Sequence, residues 1–405
     1  MPCYICENNI LLEILDLGNH PPPLILLSEE DIQQKEKLFP LKLFFCEKCG
    51  LVQLNDVVNP ELLFKEYSYT SSASTSFKNH LFEFAEMIVN LYKLSPNDMV
   101  IDIASNDGTL LEGFQRFGIK VLGIEPSNVA KIAQKKDILT INDFFDETVA
   151  KKILQKYGKA KIITATNAFA HIHKLDSLVR GIKMLIDDNG TFISENHYLL
   201  DLIDKLEYDT IYHEHLRYYG LKQLIELFQK YEMEIYNIER IPTHGGSIRV
   251  FAGLKNKHKI NESIQKTLDL ENNFGLSTKQ TMLNFAKNVK ENKSELISLL
   301  KKLKLDGKTI VGISAPARSC TVLNYCDIDS SLLDYITESS VLKIGKYTPG
   351  SHIKIESDSI LKEKQPDYAL LLSWHLKDSI IPKIRQGGFK GKIIVPLPKP
   401  EILSD

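Results

Sequence analysis

Short apolar runs alternate with amphipathic segments through the middle of the chain. "MVIDIA", "KVLGIE", "KIITATN" and "GTFISEN" are apolar stretches that each end in polar residues, the pattern of buried strands. Between them, "GTLLEGFQRF", "NVAKIAQKK" and "LDSLVRGIKMLI" space their apolar residues as helices do. This alternation predicts a mostly parallel sheet that binds ligands at the carboxyl ends of its strands. A second alternation follows: "KTIVGIS", a helix through "CTVLNY", then "LDYITES", "DYALLLS" and "GKIIVPLP". It predicts a smaller Rossmann-like α/β domain. The Lys- and Asn-rich stretch before it, with "NVKENKSELISLLKKLK", has helical periodicity and solvated charged faces. Near the N-terminus, "LKLFFC" and "GLVQLND" are strand-like. The hydroxyl-rich "EYSYTSSASTSFKNH" reads as a loop leading into the helix "HLFEFAEMIVNLYKL". The expected organisation is an N-terminal module at 1–66, a central α/β domain at 67–255, a helical connector at 256–305 and the smaller domain at 306–405.

The bulk numbers narrow the function. At 405 residues the chain exceeds what one core normally serves. Lys and Arg total 50 against 52 Asp and Glu, so no net charge draws it to nucleic acid or an anionic membrane. No apolar run reaches the roughly 20 residues that span a bilayer. "MPCYICENNI" lacks the basic-then-apolar signal-peptide pattern. A cytoplasmic protein with reduced thiols is expected, with no nucleic-acid or membrane partner, and as a monomer. In that setting the paired cysteines of "CYIC" and "CEKC" (Cys3, Cys6, Cys46 and Cys49) describe a four-thiolate tetrahedral zinc site. With every position filled by protein, that zinc is structural.

The first strand of the central domain runs into "DIASNDGTLL", where a dinucleotide fingerprint would want three glycines. Ala104, Asn106 and Gly108 stand there instead, which suits a smaller cofactor face better than a pyrophosphate cradle. Glu125 ends the next strand, a carboxylate that could hold two ribose hydroxyls. "NDFFD" (142–146) sets an acid beside aromatics that could flank an adenine. The set favours S-adenosylmethionine, which carries ribose and adenine but no phosphate, over NAD.

"YDTIYHEHLRYYG" concentrates Tyr212, His213, Glu214 and His215 in four consecutive positions. Histidine titrates near neutral pH and Tyr and Glu can partner it, so the stretch is an acid–base candidate. In a helical turn Tyr212 and His215 share a face; in an extended stretch Tyr212 and Glu214 do. The spacing is not that of an HExxH zinc helix. His171 and His173 alternate as a metal pair could, with no third ligand evident, and "HGGS" (244–247) reads as a tight turn joining strands.

Together, the two knuckles, "YSYTSSASTSFKNH", "DIASNDGTLLEGF", "GIEPSNVAKIA", "NAFAHIHKLD", "YDTIYHEHLRYYGL", "HGGSIRVF" and "YTPGSHI" resemble the S-adenosylmethionine-dependent sugar C-methyltransferases of deoxysugar biosynthesis. The resemblance covers nearly the whole chain. It implies a zinc module, a central methyltransferase domain and a C-terminal Rossmann-like domain. It further implies methylation of a nucleotide-linked 4-keto sugar at the carbon beside the ketone. His215 is expected to be the base, with Tyr212 and Glu214 orienting it or holding the sugar; the competing assignment, Tyr212 as base with His215 as its partner, stays open. The resemblance implies His171 in the same pocket. Asp102, Ala104, Ser105, Asn106, Glu125, Pro126, Asn142, Asp143, Phe144 and Asn167 are expected around the cofactor. Tyr69, on a loop over the site, is expected to contact substrate, as are Arg318 and Lys346. The C-terminal "SAPARSCTVL" and "SWHLKD" depart from the family pattern, with Arg318, Ser319 and His375 in place of lysine, glycine and asparagine.

Three alternatives remain at this stage. One is an NAD(P)-dependent nucleotide-sugar oxidoreductase or epimerase, with Glu338 ending a strand of the C-terminal domain. The second is an O-methyltransferase of a related sugar. The third is a zinc-knuckle RNA-binding module, which the near-neutral charge disfavours.

Overall fold

The alternation in "LKLFF" buries Leu41, Leu43 and Phe45 on one face, as a half-buried strand requires. This strand, β2 (Phe39–Phe45), lies between β1 (Leu12–His20) and β3 (Val52–Leu54) in an antiparallel sheet. The structure is a computed structural model describing residues 1–403, so the C-terminal domain expected to run to 405 is described to 403.

In the central domain the apolar runs form β4 (Met99–Ile103), β5 (Lys120–Ile124), β6 (Thr140–Ile141), β7 (Ala160–Thr166) and β8 (Ile186–His197). The two-residue β9 (Arg217–Tyr218) follows, then β10 (Met233–Ile241) and β11 (Ser247–Leu254). The seven-stranded sheet has the order β10-β11-β8-β7-β4-β5-β6. Its β6-to-β8 part is parallel, while β11 and β10 add antiparallel at one edge. The chain winds outward from β4 to β6, then restarts at β7 on the other side of β4. The crevice beyond the carboxyl ends of β4 and β7 is therefore the switch point at which such sheets bind ligands. Strand β9 leaves this domain and pairs antiparallel with β3, extending the N-terminal sheet to four strands.

The "EYSYTSSASTSFKNH" segment is a loop only in its first part. Ser74 caps a helix at Thr75–Tyr92 by accepting from the Phe77 N–H, so the helix begins before the apolar run does.

Two connector helices, Glu262–Phe274 and Lys279–Leu305, lead to the last domain. The longer one buries Met282, Phe285, Val289, Leu296 and Leu300 at helical spacing. The last sheet holds β12 (Ile310–Ile313), β13 (Ile336–Glu338), β14 (Ile355–Ser357), β15 (Tyr368–Leu371), β16 (Lys392–Val395) and β17 (Glu401–Ile402). Its order is β14-β13-β12-β15-β16-β17, and the edge strand β17 is antiparallel. No described helix is long and apolar enough to cross a membrane.

Candidate active site and zinc centre

Cys3 and Cys6 lie in one turn, and Cys46 and Cys49 in the turn between β2 and β3. The four Sγ atoms fall within 4.8 Å of one another. Cys3–Cys49 and Cys6–Cys46 are each 3.5 Å apart, close to the roughly 3.8 Å edge of a tetrahedron with 2.3 Å zinc–sulfur bonds. The N–H of Gly50 bonds the Cys46 carbonyl at 2.7 Å. Gly50 has φ +83°, and a Cβ there would stand 2.6 Å from Gln223 Nε2. That same Gln223 amide donates to the Cys49 carbonyl at 2.9 Å, tying the knuckle to the central domain.

A cavity of about 630 Å3 opens at the switch point, walled by all three parts of the chain. From the end of β4 come Asp102, Ala104, Ser105 and Asn106, with Ala104 (φ 57°) and Asn106 (φ 51°) in left-handed backbone. Burial lifts Asp102 to about 7, although the Thr164 hydroxyl donates to it at 2.6 Å. Glu125, at the end of β5, accepts from the backbone N–H groups of Asn106 and Ser127, both at 2.9 Å, which holds its carboxylate at the mouth of the loop. Pro126 and Phe144 also line the cavity, but Asn142 and Asp143 are not among its described lining residues. The Asn142 amide is spent on the carbonyls of Glu125 (2.7 Å) and Ser127 (3.1 Å) beneath the pocket. Asp143 accepts from the N–H of Phe144 at 2.8 Å. At the end of β7, Asn167 faces the cavity with both side-chain atoms buried and without partners among the described residues.

The loop carrying Tyr69 folds over this face. Asn106 Oδ1 accepts from the Ser71 N–H at 2.8 Å, Asp107 from the Ser72 N–H at 3.0 Å, and the Asn106 amide donates to the Tyr69 carbonyl. Two residues earlier, Tyr67 donates to Glu214 Oε2 at 3.1 Å. One loop thus touches both the Asn106–Asp107 turn and the Tyr212–His215 stretch.

Of the two geometries open for "YHEH", the turn is found: the His215 N–H bonds the Tyr212 carbonyl at 2.9 Å, and the two rings meet at 4.0 Å. His215 Nδ1 lies 2.7 Å from the Thr210 carbonyl. Burial, reinforced by His171, holds His215 well below the ordinary histidine range. Burial lowers His171 to about 4, its ring 4.9 Å from that of His215. Burial lifts Glu214 to about 7, and burial with Glu214 nearby keeps the Tyr212 phenol far above its usual range. His213 points elsewhere, to the Phe39 carbonyl, and His173 packs edge-on against Tyr4.

Arg318 reaches the cavity wall from the C-terminal domain but is largely engaged within the protein. Its Nε and Nη2 grip Asp209 at 2.7 and 2.8 Å, and Nη2 also meets Glu207 at 3.3 Å. Trp374 Nε1 donates to the same Asp209 carboxylate at 2.8 Å. Lys346 is exposed and outside the described lining; Lys343 lines the cavity instead, donating to the Ala315 carbonyl at 2.7 Å. Glu338, the acid of the nicotinamide alternative, is occupied by the N–H groups of Ala315, Ser339 and Ser340. Three lining histidines escaped the sequence reading as site residues: His197 at the end of β8, His244 in the β10–β11 turn, and His375. The doublet in "FAHIH" is a local cue; each of these stands alone in its segment.

Three family models match in succession: "Putative zinc binding domain" over residues 3–64, "Methyltransferase domain" over 77–238 and "C-methyltransferase C-terminal domain" over 242–398. The C-methyltransferase NovU of Streptomyces niveus is 31% identical over 407 residues, spanning 99% of this chain and 96% of that one. The chain belongs to the C-methyltransferase family. Membership removes the O-methyltransferase and RNA-binding alternatives. Among solved structures, an S-adenosylmethionine-dependent methyltransferase from Clostridium acetobutylicum ATCC 824 aligns with a TM-score of 0.36 at 14% identity, covering 46% of this chain and 94% of that one. Magnesium protoporphyrin IX methyltransferase from Synechocystis PCC 6803, solved with S-adenosylmethionine bound, gives 0.34 at 12% identity, covering 44% and 79%.

A C-methyltransferase of this kind uses S-adenosylmethionine, and its N-terminal module binds zinc. The residues present fit both. The partnerless Asn167 amide and the Glu125 carboxylate offer polar atoms to a ribosyl and amino-acid ligand. The four thiols have the spacing and chemistry of a closed zinc site.

Proposed function

We propose that this C-methyltransferase acts on a nucleotide-linked 4-keto deoxysugar, at the carbon beside the ketone, with His215 as the base. The observation that carries the reading is the contact between His215 Nδ1 and the Thr210 carbonyl. A carbonyl only accepts, so the imidazole proton sits on Nδ1 and Nε2 keeps its lone pair. Burial keeps the ring neutral at pH 7, and the cavity it lines also holds the cofactor turn. A neutral, desolvated imidazole suits removal of a weakly acidic hydrogen alpha to a ketone.

The bound cofactor supplies a methyl group on a sulfonium. Nε2 of His215 takes the α-proton, and the C–H electron pair moves into the enolate. A cofactor held by Glu125 and Asn167 would give its methyl to the enolate carbon and keep the electron pair of the methyl–sulfur bond, and the proton on His215 passes to solvent. Tyr212, its phenol held protonated, orients the His215 ring it meets at 4.0 Å rather than serving as a second base. A cavity of about 630 Å3 has room for a cofactor and a sugar in contact.

Mass spectrometry of reactions with a panel of nucleotide-linked 4-keto sugars, with NMR location of the new methyl, tests the substrate class. His215→Asn should cut turnover by about 10²–10⁴-fold with affinities nearly intact. It should also abolish solvent-deuterium wash-in at the α-carbon. Wash-in that persists in His215→Asn but vanishes in Tyr212→Phe would move the role to the tyrosine.

A further inference from the structure

We propose that His244 is a second catalytic residue, donating the hydrogen bond that stabilises the ketone oxygen as it becomes an enolate. The proposal rests on the His215 reading and adds the group that reading lacks. With the N–H of His215 turned to Thr210, another donor must meet the developing oxyanion.

His244 is held in strained backbone, as Ala104, Asn106 and Asn167 of the same cavity are. It holds φ 56° and ψ 23°, a left-handed conformation that disfavours any residue with a Cβ and persists where the surroundings enforce it. The two glycines that follow supply the enforcement. A Cβ on Gly245 (φ +99°) would lie 2.4 Å from Glu207 Oε1, and one on Gly246 (φ +156°) would lie 2.5 Å from Asp201 Cγ. The "HGGS" turn is thus pressed onto two buried carboxylates closer than any side chain allows. Arg318 Nη1 reaches the His244 carbonyl at 3.4 Å.

The ring so placed lines the cavity, packed by Phe77 at 5.1 Å and by His197 at 5.6 Å. His197 in turn is 4.9 Å from His215, so one imidazole separates the donor from the base. Nε2 of His244 is buried without a partner among the described residues, a costly state that a tightening site relieves. Burial, then Arg318, lowers its pKa to about 4, so the ring is neutral. A neutral imidazole keeps one N–H to give to an oxyanion and does not add a charge that would quench the neighbouring base.

Three variants in the full-length protein test this: His244→Phe removes the donor and keeps a ring, His244→Asn keeps an amide donor and tolerates left-handed backbone, and His215→Asn is the reference. The probe is a 4-keto sugar nucleotide turned over by the wild type, with S-adenosylhomocysteine present for the exchange assay. His244→Phe should lose about 10²–10³-fold in both kcat and α-deuterium wash-in, as when an oxyanion donor is removed. KM for the sugar and affinity for the cofactor should change less than about threefold, a pattern that a purely structural role does not give. His244→Asn should recover about tenfold or more over His244→Phe. Wash-in within about threefold of wild type in His244→Phe overturns the proposal, as does a loss that His244→Asn does not rescue. If His244→Phe does not fold, His244→Ser replaces it against His244→Asn with the same criteria. Full exchange in His215→Asn would instead overturn the underlying choice of base.

Discussion

Replacing Arg318 by methionine should loosen the C-terminal domain from the segment that carries His215. Asp209 is fully buried, and its carboxylate accepts two bonds from Arg318 and one from Trp374. The next helical turn adds the Thr321 hydroxyl on the Ile211 carbonyl at 2.7 Å. Removing the guanidinium leaves a buried anion with one indole donor, and breaking a buried pair this way costs about 3–5 kcal/mol. With a urea slope of about 1–3 kcal/mol per molar, the unfolding midpoint of this interface should fall by about 1 M or more. Trp374 is the single tryptophan of the chain and stands on Asp209, so its fluorescence reports this junction directly. Removing both charges in Arg318→Met/Asp209→Leu should restore part of the loss, falling short by about 1 kcal/mol for the orphaned indole N–H and further for buried Glu207, which loses its contact with Arg318. An unchanged midpoint and emission in Arg318→Met would refute the reasoning.

Zinc analysis of purified protein should find about one ion per chain, and Cys46→Ser should lower that content and the stability of the N-terminal sheet; metal-free protein prepared without chelator would contradict it. Glu125→Ala should weaken S-adenosylmethionine binding by about 1.5–3 kcal/mol, read by calorimetry, and unchanged affinity would remove Glu125 from the cofactor. Between pH 6 and 8 His215 is already neutral, and burial lifts Glu214, Asp102 and Glu207 each to about 7. Glu214 stands next to His215, so a kcat step near pH 7 is assigned to it and should vanish in Glu214→Gln while persisting in Asp102→Asn. Because that value lies above the unfolded carboxylate's roughly 4.3, Glu214's contribution to stability is full below about pH 4.3 and is lost as pH rises through about 7. A step that survives in Glu214→Gln refutes the assignment.

The sequence made the parallel half of the central sheet legible because its strands are continuous apolar runs ending in polar residues. Both knuckles were legible because thiol pairs at fixed spacing have few other uses in a reduced chain. Strand β9 was hidden by its length of two residues, which carry no periodicity. His197 stood in no motif, and His244 and His375 were visible only as part of a turn and of a C-terminal departure, because their meaning lies in their meeting, from β8, the β10–β11 turn and the C-terminal domain. Arg318 was visible as a charged residue in a ligand-facing motif. That its charge is spent on Asp209, 109 residues earlier, belongs to tertiary structure alone. Asn142 taught the same lesson, as a residue at a strand end whose amide braces the loop beneath the pocket.

The pairing of β3 with β9 sets the order in which the protein can be made. Val52 meets Tyr218 across more than 160 residues of intervening chain, so during synthesis the first sheet waits with an open edge until the central domain has emerged. An N-terminal fragment ending before β9 would expose the backbone of β3 to any passing strand, a recipe for edge-to-edge aggregation. A central domain cut free of its first 66 residues would in turn lose the neighbour that fixes the chain two residues beyond His215. The zinc module is thus no detachable appendage: domain swapping between relatives at this seam should fail unless β3 and β9 travel together.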